Sequence, residues 1–491
     1  MDFENLARQL RSLAPAAGGM TADSRRLCAG DVFLAYPGGA HDGRNHIAAA
    51  IAAGAAAVLW EPENHVWNAG EVANLPVPGL KAHAAGLAAA WYGQPSKNLW
   101  MTGITGTNGK TSVTHWLAAA WSRLGRKTAA IGTIGNGFPG ELAVASHTTP
   151  DAVNLQGLLA GYRDAGAYGV AMEVSSHGLD QGRVAEIEFD VAVLTNLTQD
   201  HLDYHGDMAS YAAAKARLFS WTGLKWAVLN SDDDLGASLI QQLRGGATQV
   251  LSYGLHGGDL CGQRLYADRQ GLRMEIISPW GMGELASPLL GEFNAYNLLA
   301  ALGALLAGGV PLDAALAALA EVEAVPGRMQ KVGGPFTGRT GADEPTVIVD
   351  FAHTPDALDK VLSALKPLGK GRLICVFGCG GGRDTGKRPA MGAAVAARAD
   401  AAIVTSDNPR NEDPAAIIAH ILAGMPPGQD AIVDRRQAIR TAIGDAGPQD
   451  IVVLAGKGHE TYQEINGVKY PFSDVEEALK ALDERKKRAS A

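Results

Sequence analysis

The run Gly103-Ile104-Thr105-Gly106-Thr107-Asn108-Gly109-Lys110-Thr111-Ser112 has the residue types of a phosphate-binding loop. The apolar stretch Asn98-Leu99-Trp100-Met101-Thr102 leads into it as a strand, and Val113, Trp116, Leu117, Ala120, Trp121 and Leu124 follow at helical spacing. Gly125 then supplies a stop. A Gly-rich turn that opens a helix aims backbone N–H groups and the positive end of the helix dipole at phosphate oxygens. Lys110 adds a point charge for the β- and γ-phosphates, and Thr111 or Ser112 a hydroxyl for Mg²⁺. The general pattern has Gly six residues before the Lys, where Ile104 stands. Strand, turn and helix still agree, so Gly106, Thr107, Asn108, Gly109, Lys110, Thr111 and Ser112 are expected to bind a nucleoside triphosphate.

Other polar residues fall just after apolar runs. Glu173 ends Val170-Ala171-Met172, and His201 follows Val191-Ala192-Val193-Leu194. Both are thereby placed at the carboxyl edge of an open α/β sheet, where ligands bind. A carboxylate and an imidazole near a phosphate loop suit Mg²⁺ ions that bridge ATP to a second substrate. Arg383, Asp407-Asn408-Pro409-Arg410, Gly456 and Glu460 also follow β-runs and converge on one edge. Gly378-Cys379-Gly380-Gly381-Gly382-Arg383 has Arg where a dinucleotide fingerprint needs its third Gly, so a nicotinamide site is not expected.

The elements that must position these residues fall into three blocks within 491 residues, which suits about three domains. The first, to about residue 95, has short strands (Val32-Phe33-Leu34-Ala35, Ala57-Val58-Leu59-Trp60) and Ala-rich helices. The second alternates strands and helices to about Pro326-Gly327. The third repeats strand then loop: Val347-Ile348-Val349-Asp350, Leu373-Ile374-Cys375-Val376-Phe377, Ala402-Ile403-Val404-Thr405, Ile451-Val452-Val453-Leu454. Continuous β-branched runs between Ala/Leu-rich helices predict parallel sheets buried on both faces. The net charge of −9 argues against coating nucleic acid, and charges and Gly interrupt every apolar run before membrane-spanning length. The first residues lack the apolar core of a signal peptide, and four scattered cysteines read as reduced thiols in a cytoplasm. The terminal Glu484-Arg485-Lys486-Lys487-Arg488 reads as a solvated, fraying helix end.

The Gly106-Thr107-Asn108-Gly109-Lys110-Thr111-Ser112 form resembles the ATP loop of the Mur ligases, the ATP-dependent amide-forming enzymes of peptidoglycan precursor synthesis. Further similar motifs follow in order along nearly the whole chain: Asp23-Ser24-Arg25, His147-Thr148-Thr149-Pro150-Asp151, Met172-Glu173-Val174-Ser175-Ser176-His177, and Thr195-Asn196-Leu197-Thr198-Gln199-Asp200-His201-Leu202-Asp203. Tyr211 to Lys215, Phe293-Asn294 to Asn297, Pro326-Gly327-Arg328, Asp350-Phe351-Ala352-His353-Thr354-Pro355 and Gly456-Lys457-Gly458-His459-Glu460 complete the series.

The resemblance implies an N-terminal uridine-nucleotide-binding domain over 1–95, a central P-loop ATPase-like ligase domain over 96–327 and a C-terminal Rossmann-like, amino-acid-binding domain over 328–491. It implies ATP contacts at Asn294, Asn297, Arg328 and Asp350, with His353 as an ATP-side neighbour. The acceptor UDP-MurNAc-L-Ala-D-Glu would be held by Ser24, Gly39, Ala40, His41, Thr148, Thr149, Ser175, Gln181, Arg183 and Lys215. Lys215, as a carbamate, would join Thr111, Glu173 and His201 around Mg²⁺, and Lys110, Glu173, His201 and Lys215 would carry catalysis. Asp-Asn-Pro-Arg resembles a meso-diaminopimelate recognition motif, so that Arg383, Asp407, Asn408, Pro409, Arg410, Gly456 and Glu460 would bind this amino acid. A guanidinium pairs bidentately with its second carboxylate, and acidic groups receive its distal ammonium. Ligation of L-lysine is the nearest alternative; a nucleotide switch without ligation is another. A cytoplasmic monomer is expected, with small-molecule substrates and neither nucleic-acid binding nor membrane insertion.

Overall fold

The computed structural model describes residues 1–38, 41–268, 270–334, 344–382 and 384–489. They form two compact units. One comprises Met1–Thr105, Gly125–Ala192 and Ala214–Trp226, and the other Gly106–Leu124, Val193–Ala213 and Ala227–Ala491.

In the first unit, Met20–Thr21, Val32–Ala35, Ala57–Trp60 and Ala73–Pro76 pair in that order as a parallel sheet. Alternate side chains serve two cores. Val32 and Leu34 pack with Leu10, Leu80 and Leu87 of the helices Phe3–Leu13 and Leu80–Trp91, while Phe33 and Ala35 pack with Ile47 and Val58 on the opposite face. Further along, Gly169–Glu173 lies between the parallel strands Trp100–Thr105 and Thr128–Ile131. Register pairs Ile104 with Glu173, so the carboxylate stands level with the end of the strand that leads to the phosphate loop.

In the second unit, the helix Lys110–Arg123 starts at Gly109, whose φ of +86° is a left-handed conformation suited to glycine. The helix Glu292–Ala307 is buried nearly all round, as its apolar composition requires. Leu260–Ala267, Leu272–Ser278 and Gly281–Ser287 form an antiparallel meander that the strand–helix reading of the sequence did not anticipate. The C-terminal sheet runs in the order Gln330–Gly333, Thr346–Asp350, Ile451–Ala455, Leu373–Phe377, Ala401–Thr405, Asp430–Ile432, parallel except for its first edge strand. Helices cover both faces: Ile348, Phe377 and Val453 sit in one core, Val349, Val376 and Leu454 in the other. The carboxyl ends of its strands carry Asp350, Gly378, Ser406 and Gly456, as the β-runs predicted.

The charged C-terminal run is solvated as expected at Lys486, Lys487 and Arg488, which are exposed. It closes the helix Asp474–Ala489, with Arg485 donating to the Ile443 carbonyl at 3.0 Å and Lys486 paired with Glu344 at 2.8 Å. Among the described residues no helix is long and apolar enough to cross a membrane.

Candidate active site

The phosphate loop is held from several sides within the second unit. Thr195 donates its hydroxyl to the Asn108 carbonyl at 2.6 Å, Asn108 N–H donates to Asn196 Oδ1 at 3.0 Å, and Thr107 Oγ1 lies 3.2 Å from the Tyr211 hydroxyl. Lys110 Nζ donates to the carbonyls of Gly106 and Thr107 at 2.8 and 2.9 Å, folded over its own loop. A Cβ at Gly106 would lie 1.8 Å from Thr195 Oγ1, and one at Gly109 would lie 2.2 Å from Asn297 Oδ1. Close approach therefore requires both glycines. Asn297 in turn donates to Asn294 at 3.1 Å, and Asn294 to the Leu290 carbonyl, which brings both predicted asparagines to the loop. Thr111 and Ser112 are buried in the first turn of the helix.

Arg328 stacks its guanidinium 4.3 Å above the Phe351 ring. The Asp350 carboxylate accepts the N–H groups of Met329 and Ala352, both at 2.7 Å; burial raises its pKa, against the pull of Arg328. His201, at φ +54°, stands 3.4 Å from Asp200. Burial pushes the Asp200 carboxyl up, but His201, His353 and Lys387 hold it below the usual range overall. His353 points Nδ1 at the Phe351 carbonyl, 2.8 Å away.

In the first unit five of the predicted acceptor residues, Thr148, Thr149, Ser175, Gln181 and Arg183, form one polar network with Glu173. Glu173 accepts from Thr133 N–H at 2.7 Å and from the Thr133 hydroxyl at 3.2 Å; that hydroxyl also lies 3.0 Å from Thr148 Oγ1. Thr149 donates to the Glu173 carbonyl at 2.9 Å and lies 3.0 Å from Ser175 Oγ. Arg183 donates to Gln181 Oε1 at 2.6 and 3.0 Å and to the Thr149 carbonyl at 2.9 Å. Ser24 opens a short helical turn capped by Asp23, away from this network in sequence, and His41 is exposed. Gly39 and Ala40 lie outside the described residues, as does Arg383. Lys215, in the helix Met208–Ala216, is buried.

The Asp407-Asn408-Pro409-Arg410 turn sits at the carboxyl end of Ala401–Thr405 beside Gly456 and Glu460. Asn408 Nδ2 donates to Glu460 Oε2 at 2.8 Å, and a Cβ on Gly456 would fall 2.5 Å from Asp407 Oδ2. Lys457, fully buried, donates to Asn408 Oδ1 at 3.1 Å and Glu460 Oε2 at 2.9 Å. Arg410 has φ +52°, with Nη1 on the Gly381 carbonyl at 2.5 Å and Nε 3.6 Å from Glu464.

Sequence reasoning missed Thr133, Thr195, Asn196, Tyr211 and Lys457 as site residues. Thr195, Asn196, Tyr211 and Lys457 stood inside motifs already singled out; Thr133 carried only its place just past the strand Thr128–Ile131.

Three family models match in succession: the Mur ligase family catalytic domain over 17–92, the Mur ligase middle domain over 104–305 and the Mur ligase glutamate ligase domain over 327–458. The chain belongs to the Mur ligase family. Among Mur ligases it is 53% identical over 473 residues to the UDP-N-acetylmuramoyl-L-alanyl-D-glutamate–2,6-diaminopimelate ligase of Chromobacterium violaceum, covering 94% of both chains. The Pseudomonas aeruginosa protein of the same name is 50% identical with the same coverage. A solved structure bearing that name matches with TM-score 0.65 and 38% identity over 96% of this chain and 95% of the other. A MurF ligase of Thermotoga maritima in complex with ADP shares the fold, with TM-score 0.68 and 18% identity over 96% and 99%. The three-domain α/β Mur ligase fold and ATP-dependent amide-bond formation are thus properties of this chain.

Proposed function

We propose that the protein adds meso-2,6-diaminopimelate to the γ-carboxylate of D-Glu in UDP-MurNAc-L-Ala-D-Glu, in the cytoplasm, as a monomer. The observation that carries this reading is that the Asp407 to Arg410 turn, with Glu460 from the neighbouring loop, sets a guanidinium and two acidic side chains at one sheet edge, beside a relative at 53% identity named for this reaction. Lysine offers no second carboxylate, so Arg410 would lose its substrate partner and lysine would be rejected strongly.

The chemistry begins with a carboxylate, a poor electrophile. Transfer of the γ-phosphoryl group of ATP to it gives an acyl phosphate and ADP. The diaminopimelate amine then attacks the acyl carbon, and phosphate leaves. Gly106, Thr107, Asn108 and Gly109 form the turn around the phosphates, its Thr107 and Asn108 N–H groups tied to Asn196, and the start of the helix Lys110–Arg123 turns its N–H groups to them. Lys110 turns from its loop carbonyls to the transferring group, and Asn294 and Asn297 lie by the adenine. Arg328 and Asp350 complete the ATP contacts when the domains close, excluding water from the acyl phosphate.

The donor set fits Mg²⁺: a Thr111 hydroxyl and a Glu173 carboxylate are hard oxygen ligands. Among the described residues no group of three or more His, Cys, Asp or Glu side chains could hold a metal ion by itself. Mg²⁺ would be held by Thr111, Glu173, His201 and a carbamylated Lys215, and would neutralise charge on the phosphates. Ser24, Gly39, Ala40, His41, Thr148, Thr149, Ser175, Gln181 and Arg183 hold the acceptor, and Arg383 joins Arg410 at the amino acid. The domains are divided at 1–95, 96–327 and 328–491.

Phosphate release from ATP, with acceptor and either meso-diaminopimelate or L-lysine, tests this. Release confined to diaminopimelate, with a tripeptide mass in the product, is expected. Equal release with lysine would overturn the specificity, and steady release without acceptor would overturn the substrate assignment.

A further inference from the structure

Arg388, the second residue of the helix Lys387–Arg398, is fully buried in the second unit. Its Nη2 lies 2.9 Å from both carboxylate oxygens of Glu412, and its Nη1 lies 3.1 Å from His420 Nδ1. A buried guanidinium is expensive and usually replaceable by an apolar side chain without loss of stability, so one that spans two loops invites a reason. The far end of the pair supplies it. Glu412 Oε1 accepts the Gly382 N–H at 2.5 Å, and the Glu412 N–H donates to the Pro409 carbonyl at 3.0 Å. Gly381 N–H donates to the Asn408 carbonyl at 2.9 Å, and the Gly381 carbonyl accepts from Arg410 Nη1. The two loops are in such close contact that a Cβ on Gly381 would lie 2.0 Å from the Pro409 carbonyl oxygen.

We propose that Arg388, acting through Glu412, is a positioning residue for the amino-acid substrate: the pair clamps the Gly381-Gly382 turn, and that turn fixes the Arg410 guanidinium. The inference rests on the reading that Arg410 receives a substrate carboxylate. The Gly382 N–H and Arg388 together hold the Glu412 carboxyl below its usual range, so the clamp is ionised throughout the neutral range. A turn left loose would misplace Arg410, and misplacement on the scale of 1 Å costs on the order of a hundredfold.

The test is steady-state kinetics on Arg388→Met, Glu412→Gln and Arg410→Ala, singly and with Arg388→Met combined with Arg410→Ala. Arg388→Met replaces the buried cation with an apolar side chain of similar length, and Glu412→Gln changes a partly exposed group, so at least one folds. The expected result is a KM for the amino acid raised about tenfold to a hundredfold in Arg388→Met and less in Glu412→Gln. The KM values for ATP and acceptor should stay within about twofold, and Arg388→Met should add nothing in the Arg410→Ala background. An unchanged amino-acid KM in both single variants, a parallel rise in all three KM values, or additivity in the double variant overturns the clamp. If Arg410→Ala leaves the amino-acid KM unchanged while Arg388→Met raises it, the Arg410 reading falls and the clamp, which acts through Arg410, falls with it; a raised KM in Arg410→Ala alone leaves that reading standing and overturns only the clamp.

Discussion

Gly109→Ala should cripple ATP use without touching any group that reacts. The residue sits at φ +86°, where an L-residue costs about 1–2 kcal/mol. Its new Cβ would stand 2.2 Å from Asn297 Oδ1, far inside contact distance. Asn297 must then rotate and give up its 3.1 Å bond to Asn294, a further loss of about 1 kcal/mol. Together these come to about 2–3 kcal/mol, or about 30- to 150-fold in kcat/KM for ATP. Acceptor-dependent phosphate release with ATP titrated reads the effect, and calorimetric titration with ADP separates binding from turnover. Asn297→Ala removes the obstacle, so the double variant should be better than the sum of the singles by about 1 kcal/mol. A Gly109→Ala enzyme within threefold of the parent, or strict additivity with Asn297→Ala, would refute the reasoning from close approach.

His115 and His459 are both pushed down to about 4, first by burial and then by Arg328. The unfolded chain binds these protons near pH 6.5 and the native chain does not, so stability is complete above 6.5 and falls as pH drops toward 4, by up to about 3 kcal/mol per histidine. Urea midpoints between pH 7 and 4 should show this slope, and His115→Gln should flatten it. Asp474→Ala strands the buried Arg435 guanidinium, now paired at 2.6 and 2.7 Å, and should lower unfolding free energy by about 3–5 kcal/mol in urea titration. Thr133→Val removes the hydroxyl that holds Glu173 and should lower kcat about tenfold with the KM for ATP within twofold.

The parallel sheets were legible because a strand buried on both faces must be apolar throughout: Val347, Ile348 and Val349 contribute alternately to two cores, and each residue in the run announces the strand. The meander was not read, although Leu272, Met274 and Ile276 are buried and alternate with more exposed residues. That period-two signal spans one short strand in a region otherwise read as strand and helix in turn. The tail was legible in part. A run of like charges ordinarily faces water, as Lys486, Lys487 and Arg488 do, whereas the pairings of Arg485 and Lys486 with Ile443 and Glu344, far upstream in the chain, have no local signal.

The candidate site divides along the same line. Residues just past a strand were found, because strand ends can be read locally. What holds them was not, because it is a polar pairing across long stretches of chain: Thr133 lies 40 residues from Glu173, and Arg388 lies 24 from Glu412. No periodicity encodes such pairs, whose partners become neighbours only after the sheet has formed. Arg410 shows why they matter. Its φ of +52° is unfavourable for an arginine, yet its N–H is tied to the Glu464 carbonyl and its own carbonyl to the Asn466 N–H. The hairpin Tyr462–Ile465 and Val468–Pro471 thus imposes from outside the motif a conformation that Asp-Asn-Pro-Arg would not adopt by itself. The chemistry of the site is written in its motif, and its geometry in residues that no motif contains.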